Sequence, residues 1–166
     1  MSRVHDALRR AGGNAAADVE ITLNHGQPAL AGIDLLQNVQ EIDFTPSPDA
    51  LLIDPANPYE APTEEFRTLR TRLNHLQSLQ PVHTTVITSA SPTEGKSFAA
   101  VNFALAQAQL AGNLTLLADF DLRRPVVHSL FQCARTPGIT DFLQGKATLA
   151  QIIRHVKGTN LYSRPV

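Results

Sequence analysis

A β-branched run, a turn-rich loop, a long helical pattern and a second buried run stand end to end between residues 84 and 118, and no other feature constrains the chain as much. Thr84 to Thr88 reads Thr-Thr-Val-Ile-Thr, the composition of a strand. Residues 89 to 96 hold Ser, Pro and Gly, and Ser97 to Ala111 repeats apolar residues at helical spacing until Gly112 can end it. Leu114 to Ala118 then reads as a second buried strand. Strands joined through a helix run parallel, and a parallel sheet needs helices over its faces. The expected fold class is therefore α/β, a doubly wound and mostly parallel sheet.

The flanking sequence fits around this unit. Thr63 is the expected cap of a helix to Gln77, with Glu64 and Glu65 at its positive end and Phe66, Leu69, Leu73 and Leu76 as one apolar stripe. Pro125 to Phe131, Thr140 to Leu143 and Thr148 to Arg154 read as short helices, and Asn160 to Ser163 as the start of a third strand. Upstream, five prolines (Pro46, Pro48, Pro55, Pro58, Pro62) fall close together, and each biases its predecessor away from helix. Residues 1–13 are expected to form a short helix capped by Ser2 and stopped by Gly12-Gly13. Residues 14–62 are expected to be an acidic, proline-rich and mostly irregular linker, and 63–166 the folded domain.

Composition removes whole classes. With 166 residues and 43% hydrophobic side chains the chain holds one core and is not wholly disordered. No apolar run reaches the roughly 18 residues of a membrane span, so no direct membrane insertion is expected. The net charge is −1, which gives no long-range field for nucleic acid. It is unevenly spread: residues 1 to 60 carry 3 basic and 9 acidic side chains, and the remainder 11 and 6. Cys133 is the only cysteine, so an internal disulfide is impossible and a reducing, cytoplasmic location fits. The six histidines show no close ligand spacing.

Two motifs carry chemistry. Ala90-Ser91-Pro92-Thr93-Glu94-Gly95-Lys96-Ser97 fits the phosphate-loop pattern, with Ala90 in place of the usual first glycine. Between a strand and a helix, the amides of Ser91 to Phe98 would converge on a polyphosphate. Lys96 offers a compact positive charge and Ser97 a hard oxygen for Mg²⁺. The bland alternative is a helix start with a surface lysine. The second motif, Asp119-Phe120-Asp121-Leu122-Arg123-Arg124-Pro125, follows the second strand, where ligands gather in open α/β sheets. Asp119 and Asp121 would there hold a metal or accept the proton of an incoming hydroxyl. Its bland alternative is a solvated acidic turn paired with Arg123 and Arg124.

With both motifs and the helix pattern Glu64-x-x-Arg67-x-x-Arg70, the stretch from Pro62 onward resembles the bacterial tyrosine autokinases (BY-kinases) of exopolysaccharide and capsule synthesis, a branch of the phosphate-loop ATPases. The resemblance implies ATP and Mg²⁺ as cofactors, bound by Ser91, Pro92, Thr93, Glu94, Gly95, Lys96, Ser97 and Phe98. It further implies catalysis by Lys96, Asp119 and Asp121, with Ser97, Asp119 and Asp121 serving the metal, partly through water. Glu64, Arg67 and Arg70 would form the interface of a homo-oligomer. The opening Met1 to Arg10 is similar to stand-alone members, which implies a membrane-bound polysaccharide co-polymerase as activator and recruitment to the inner face of the membrane.

Departures accompany the likeness. Phe120 stands where the family prefers a small residue and Ala118 where it prefers a larger aliphatic one. The family's further strand with its metal-anchoring Asp and its tyrosine cluster are not found, and only Tyr59 and Tyr162 remain. The chain therefore reads as the N-terminal part of such a kinase, whose sheet would keep a raw edge. Two alternatives stay open: a catalytically dead, nucleotide-binding assembly module, and a partitioning-type ATPase of the same fold. Ser91 counts against the latter, which places a second lysine there.

Overall fold

Among the described residues four strands make one sheet: β1 (Gln40–Ile42), β2 (Thr115–Ala118), β3 (Arg154–Val156) and β4 (Leu161–Arg164), in the spatial order β1-β3-β4-β2. β1 runs parallel to β3 and β2 parallel to β4, while β3 and β4 are antiparallel. The α/β class and the mostly parallel sheet are thus as expected, with one antiparallel pair at its centre. This computed structural model describes Leu36, residues 38–54, 56–57 and 62–165, which fall within the unit Asp34–Val166. The helix expected at 1–13, the first part of the linker and Tyr59 lie outside the described residues.

The helices are α1 (Thr63–Leu79), α2 (Lys96–Ala108), α3 (Val127–Leu130), α4 (Ile139–Leu143) and α5 (Leu149–Ile152). α2 is the central one: from Val101 to Ala108 every residue is buried, and it packs against α1, β2 and β4. Val101 and Leu105 meet Val156, Leu161, Val127 and Phe131 in one apolar cluster. At about 25 cal/mol per Å² of apolar surface removed from water, such burial outweighs the modest helix propensity of Val and Phe in α2. α5 opens on a capping box, because the Gln151 N–H donates to Thr148 Oγ1 and the Thr148 N–H to Gln151 Oε1.

Several elements differ from expectation. Thr84–Thr88 forms no strand and belongs to no ladder, and Val86 is 82% exposed. A β-branched run becomes a strand only beside another strand's donors and acceptors, and none of the described strands reaches it. Thr63 does not cap α1: it is the first helical residue, buried, with Oγ1 unpartnered, and Pro62 stands at the cap position without a side-chain bond. The α1 stripe is only partly covered, since Phe66 meets Phe98 at 6.0 Å while Leu69 and Leu76 are exposed.

The stretch read as a linker contributes to the core. Leu52 and Ile53 are buried, and buried Asn102 of α2 accepts from the Ile53 N–H at 2.7 Å and donates to the Leu51 carbonyl at 3.3 Å. One amide side chain thereby satisfies both polar edges of an irregular segment that no strand pairs. Phe44 packs against Phe131 with ring centroids 4.9 Å apart and planes tilted by 46°, continuing the same anchorage.

Candidate functional site

The loop between Thr88 and α2 takes its shape from Gly95. Its φ of +88° is left-handed, which glycine adopts without strain, and it is the cap residue of α2. A Cβ built there would meet nothing within 4 Å, so the space above the loop is open. The Ala99 N–H donates to the Gly95 carbonyl at 2.8 Å, so the helix begins immediately. Its first amides, at Lys96, Ser97 and Phe98, therefore precede the ladder and carry the positive end of the helix dipole. Thr93, also left-handed at φ +66°, sharpens the turn before it.

A pocket of about 570 Å³ opens over this loop. Ser91, Pro92, Thr93, Gly95, Lys96, Ser97 and Phe98 line it, and Asp121, Arg123 and Arg124 close the far side. The two motifs, 25 residues apart from Lys96 to Asp121, thus meet across one cavity. Lys96 Nζ lies 2.7 Å from Asp121 Oδ2. The hydrogen bond from Lys96, followed by that of the Arg124 N–H, lowers the Asp121 pKa from 3.8 to about 2. Asp121 also shapes its own turn, accepting from the Arg123 and Arg124 amides at 3.2 and 3.0 Å.

The remaining expected residues take other positions. Glu94 turns back, and its carboxylate accepts from the Ser91 N–H at 3.0 Å, where an anionic oxygen is stabilised by a loop amide. Asp119 is buried rather than pocket-lining. Its Oδ1 accepts from the Asp121 N–H at 2.9 Å and its Oδ2 from the Val127 N–H at 3.2 Å, tying the end of β2 to the start of α3. On α1, Glu64 and Arg67 pair at 2.7 Å, but Arg70 reaches across to its own α2, donating to the Ala106 carbonyl at 2.8 Å and to Gln109 Oε1 at 3.3 Å. A guanidinium suits that place because the carbonyls at a helix C-terminus are electron-rich.

Sequence reasoning left Arg123, Arg124 and Val126 without a role, yet they line the pocket beside Asp121. The signal was their place in the second motif, directly after a strand end. Three cationic groups, Lys96, Arg123 and Arg124, therefore face a cavity lined by one carboxylate, a balance that suits a polyanion. Phe120 is exposed, and the Arg164 guanidinium sits 4.9 Å above its ring. Burial pushes the Arg164 pKa down from its usual value.

Comparison with known proteins gives the site its context. No protein-family model matches the chain. It is 39% identical over 92 residues to the tyrosine-protein kinase YwqD of Bacillus subtilis, a match covering 55% of this chain and 38% of that protein. Over 99 residues it is 34% identical to the tyrosine-protein kinase Etk of Escherichia coli strain K12, covering 60% of this chain and 14% of Etk. Among solved structures, the chimerical protein CapA2B2 superposes with a TM-score of 0.59 at 28% identity, covering 76% of this chain and 53% of that one. The chain thus spans well under half the length of these curated relatives. With a Gly-Lys-Ser turn facing an aspartate motif across one pocket, the chain is thus similar to bacterial tyrosine-protein kinases in sequence and to the CapA2B2 chimera in fold.

Proposed function

We propose that the chain binds ATP or ADP with Mg²⁺ at the Ser91–Phe98 loop and takes part in γ-phosphoryl transfer to tyrosine in the control of exopolysaccharide or capsule synthesis. One observation carries the reading: the Lys96 ammonium, the open space over Gly95 and the Asp121 carboxylate meet in a single pocket. Lys96 would neutralise the β and γ phosphates, and the α2 amides would receive their oxygens. Ser97 and Asp121 supply hard oxygens of the kind Mg²⁺ takes, and the ion, when bound, would offset charge on the phosphates. Asp121 is the better placed of the two aspartates to receive a tyrosine hydroxyl proton, while Asp119 would fix the turn that carries it. Self-association through Glu64 and Arg67, and activation by a membrane-bound co-polymerase, belong to the same proposal.

A catalytically dead nucleotide-binding module is the second reading, favoured by Asp119, whose two oxygens are already engaged by backbone amides. Titration calorimetry with Mg-ADP tests the common part: the parent should bind and Lys96→Ala should bind at least about tenfold more weakly, given the strength of charge-assisted contacts. Equal affinity would remove the nucleotide assignment. Incubation with Mg-ATP and a tyrosine-bearing acceptor, followed by phosphotyrosine detection, then separates the kinase from the module.

A further inference from the structure

Phe120 and Leu122 bracket Asp121 and are 64% and 61% exposed, although both are large and apolar. The Leu122 N–H donates to the Phe120 carbonyl at 3.0 Å, so the chain folds sharply at Asp121 and keeps both residues within one turn of it. Neither lines the nucleotide pocket, whereas Asp121 and Val126 do, so a bound nucleotide would leave them open. The Phe120 ring is nonetheless held in place. Ala118 pairs with Arg164 across the β2–β4 ladder, and the Arg164 guanidinium lies 4.9 Å from the ring centroid.

Arg164 lacks the anion that a guanidinium ordinarily takes. Among the described residues no carboxylate pairs with it, its Nε is buried without a partner, and burial lowers its pKa. An unpaired, partly desolvated cation attracts an anion. An exposed ring attracts a second ring, offset or edge-on, with centroids roughly 4.5–7 Å apart. The carboxylate assigned to receive a hydroxyl proton stands one residue away, at Asp121. One occupant supplies all three counterparts: a tyrosine beside an acidic residue. We infer that Phe120 is the surface on which the acceptor tyrosine ring lies, with its hydroxyl toward Asp121, and that Arg164 positions Phe120 and receives an acidic side chain next to that tyrosine. The inference rests on the proposed phosphoryl transfer and adds the class of its acceptor. In that transfer the phenolic oxygen bonds to the γ phosphorus, the bond from that phosphorus to the bridging β-phosphate oxygen breaks, ADP leaves, and the phenolic proton passes to Asp121. A serine or threonine acceptor would leave the ring bare.

The test titrates the full, isotopically labelled chain with acetyl-Ala-Glu-Tyr-Glu-Ala-amide and follows the Asp121 and Leu122 amides by magnetic resonance. Both should shift saturably. Phe120→Ala should weaken peptide binding at least about fivefold and Phe120→Tyr should restore it, the size expected of an aromatic pair. ADP affinity should stay within about twofold in both, because Phe120 lies outside the nucleotide pocket. Replacing both glutamates of the peptide by lysine should weaken binding to the parent at least about fivefold, and by less than half that factor to Arg164→Met. With Mg-ATP, Phe120→Ala should raise KM for the peptide and leave kcat within about twofold. No shift in the parent, or an equal response to the peptide with serine in place of tyrosine, would overturn the inference. Phosphotyrosine formed by Phe120→Ala at the parent's KM would overturn it too, while keeping the kinase. Phe120-dependent shifts without any phosphotyrosine would instead overturn the transfer and keep the tyrosine site.

Discussion

Lys96 Nζ and Asp121 Oδ2 lie 2.7 Å apart, so the cation of the phosphate loop is held by the carboxylate of the second motif. A phosphate tail entering the pocket competes with Asp121 for that ammonium. Asp121→Asn should therefore bind ADP in EDTA about threefold more tightly than the parent, a modest gain because the pair is partly exposed. In the presence of Mg²⁺ the same variant should lose affinity relative to the parent, since a hard anionic ligand has gone. Fluorescence titration with a labelled ADP reads both signs, and a gain under both conditions would remove Asp121 from the metal site.

The same contact sets an acid limit. The Asp121 pKa falls from 3.8 to about 2 in the folded chain, so its contribution is fully present above about pH 4 and disappears as pH drops toward 2. Urea unfolding at stepped pH should show the parent losing stability across that window more than Asp121→Asn does. Parallel curves would mean that the carboxylate is equally free in both states.

Gly95 offers a backbone test of the loop. Its φ of +88° is one that L side chains rarely adopt, while the space above it is open. Gly95→Ala should cost about 1–2 kcal/mol through backbone strain alone. Thermal unfolding measures that cost, and phosphate binding should weaken with it because the loop amides turn away.

Much of this was legible from residue order. The run from Ser89 through Ala118 announced loop, helix and strand, since Gly95 and Lys96 follow turn formers and α2 repeats at helical spacing. The meeting of Lys96 with Asp121 also followed, because both stand at ends of elements in an open α/β sheet. Long-range partners were not legible. β1 is only Gln40–Ile42, and its existence depends on β3, more than a hundred residues away. Arg70 was expected at an interface between copies, but its length lets it reach the α2 carboxyl end of its own chain. The Thr84–Thr88 run shows the converse: local propensity favoured a strand, but none forms, because pairing needs a neighbour.

Asp119 separates a structural from a catalytic contribution. Its two carboxylate oxygens receive the Asp121 and Val127 amides in a buried position. Asp119→Asn keeps one acceptor oxygen and sets an NH2 against the other amide, which should cost about 1–3 kcal/mol of stability. Denaturant midpoints at constant slope check this. An unchanged midpoint would mean that the carboxylate is free for chemistry.

Asn102 tests whether the proline-rich stretch is part of the fold. Its amide holds the Ile53 N–H at 2.7 Å and the Leu51 carbonyl at 3.3 Å, in a fully buried site within α2. Asn102→Ala favours the helix slightly by propensity, yet it strands a buried donor and leaves space beside Leu52 and Ile53. The balance should be a loss of about 2 kcal/mol. The loss should appear with faster amide exchange at Ile53 while the β2 and β4 amides keep their protection, because the anchor and the sheet open separately. If the midpoint stays put and Ile53 exchanges as before, residues 51–53 are held by apolar burial alone, and the side-chain bridge is incidental.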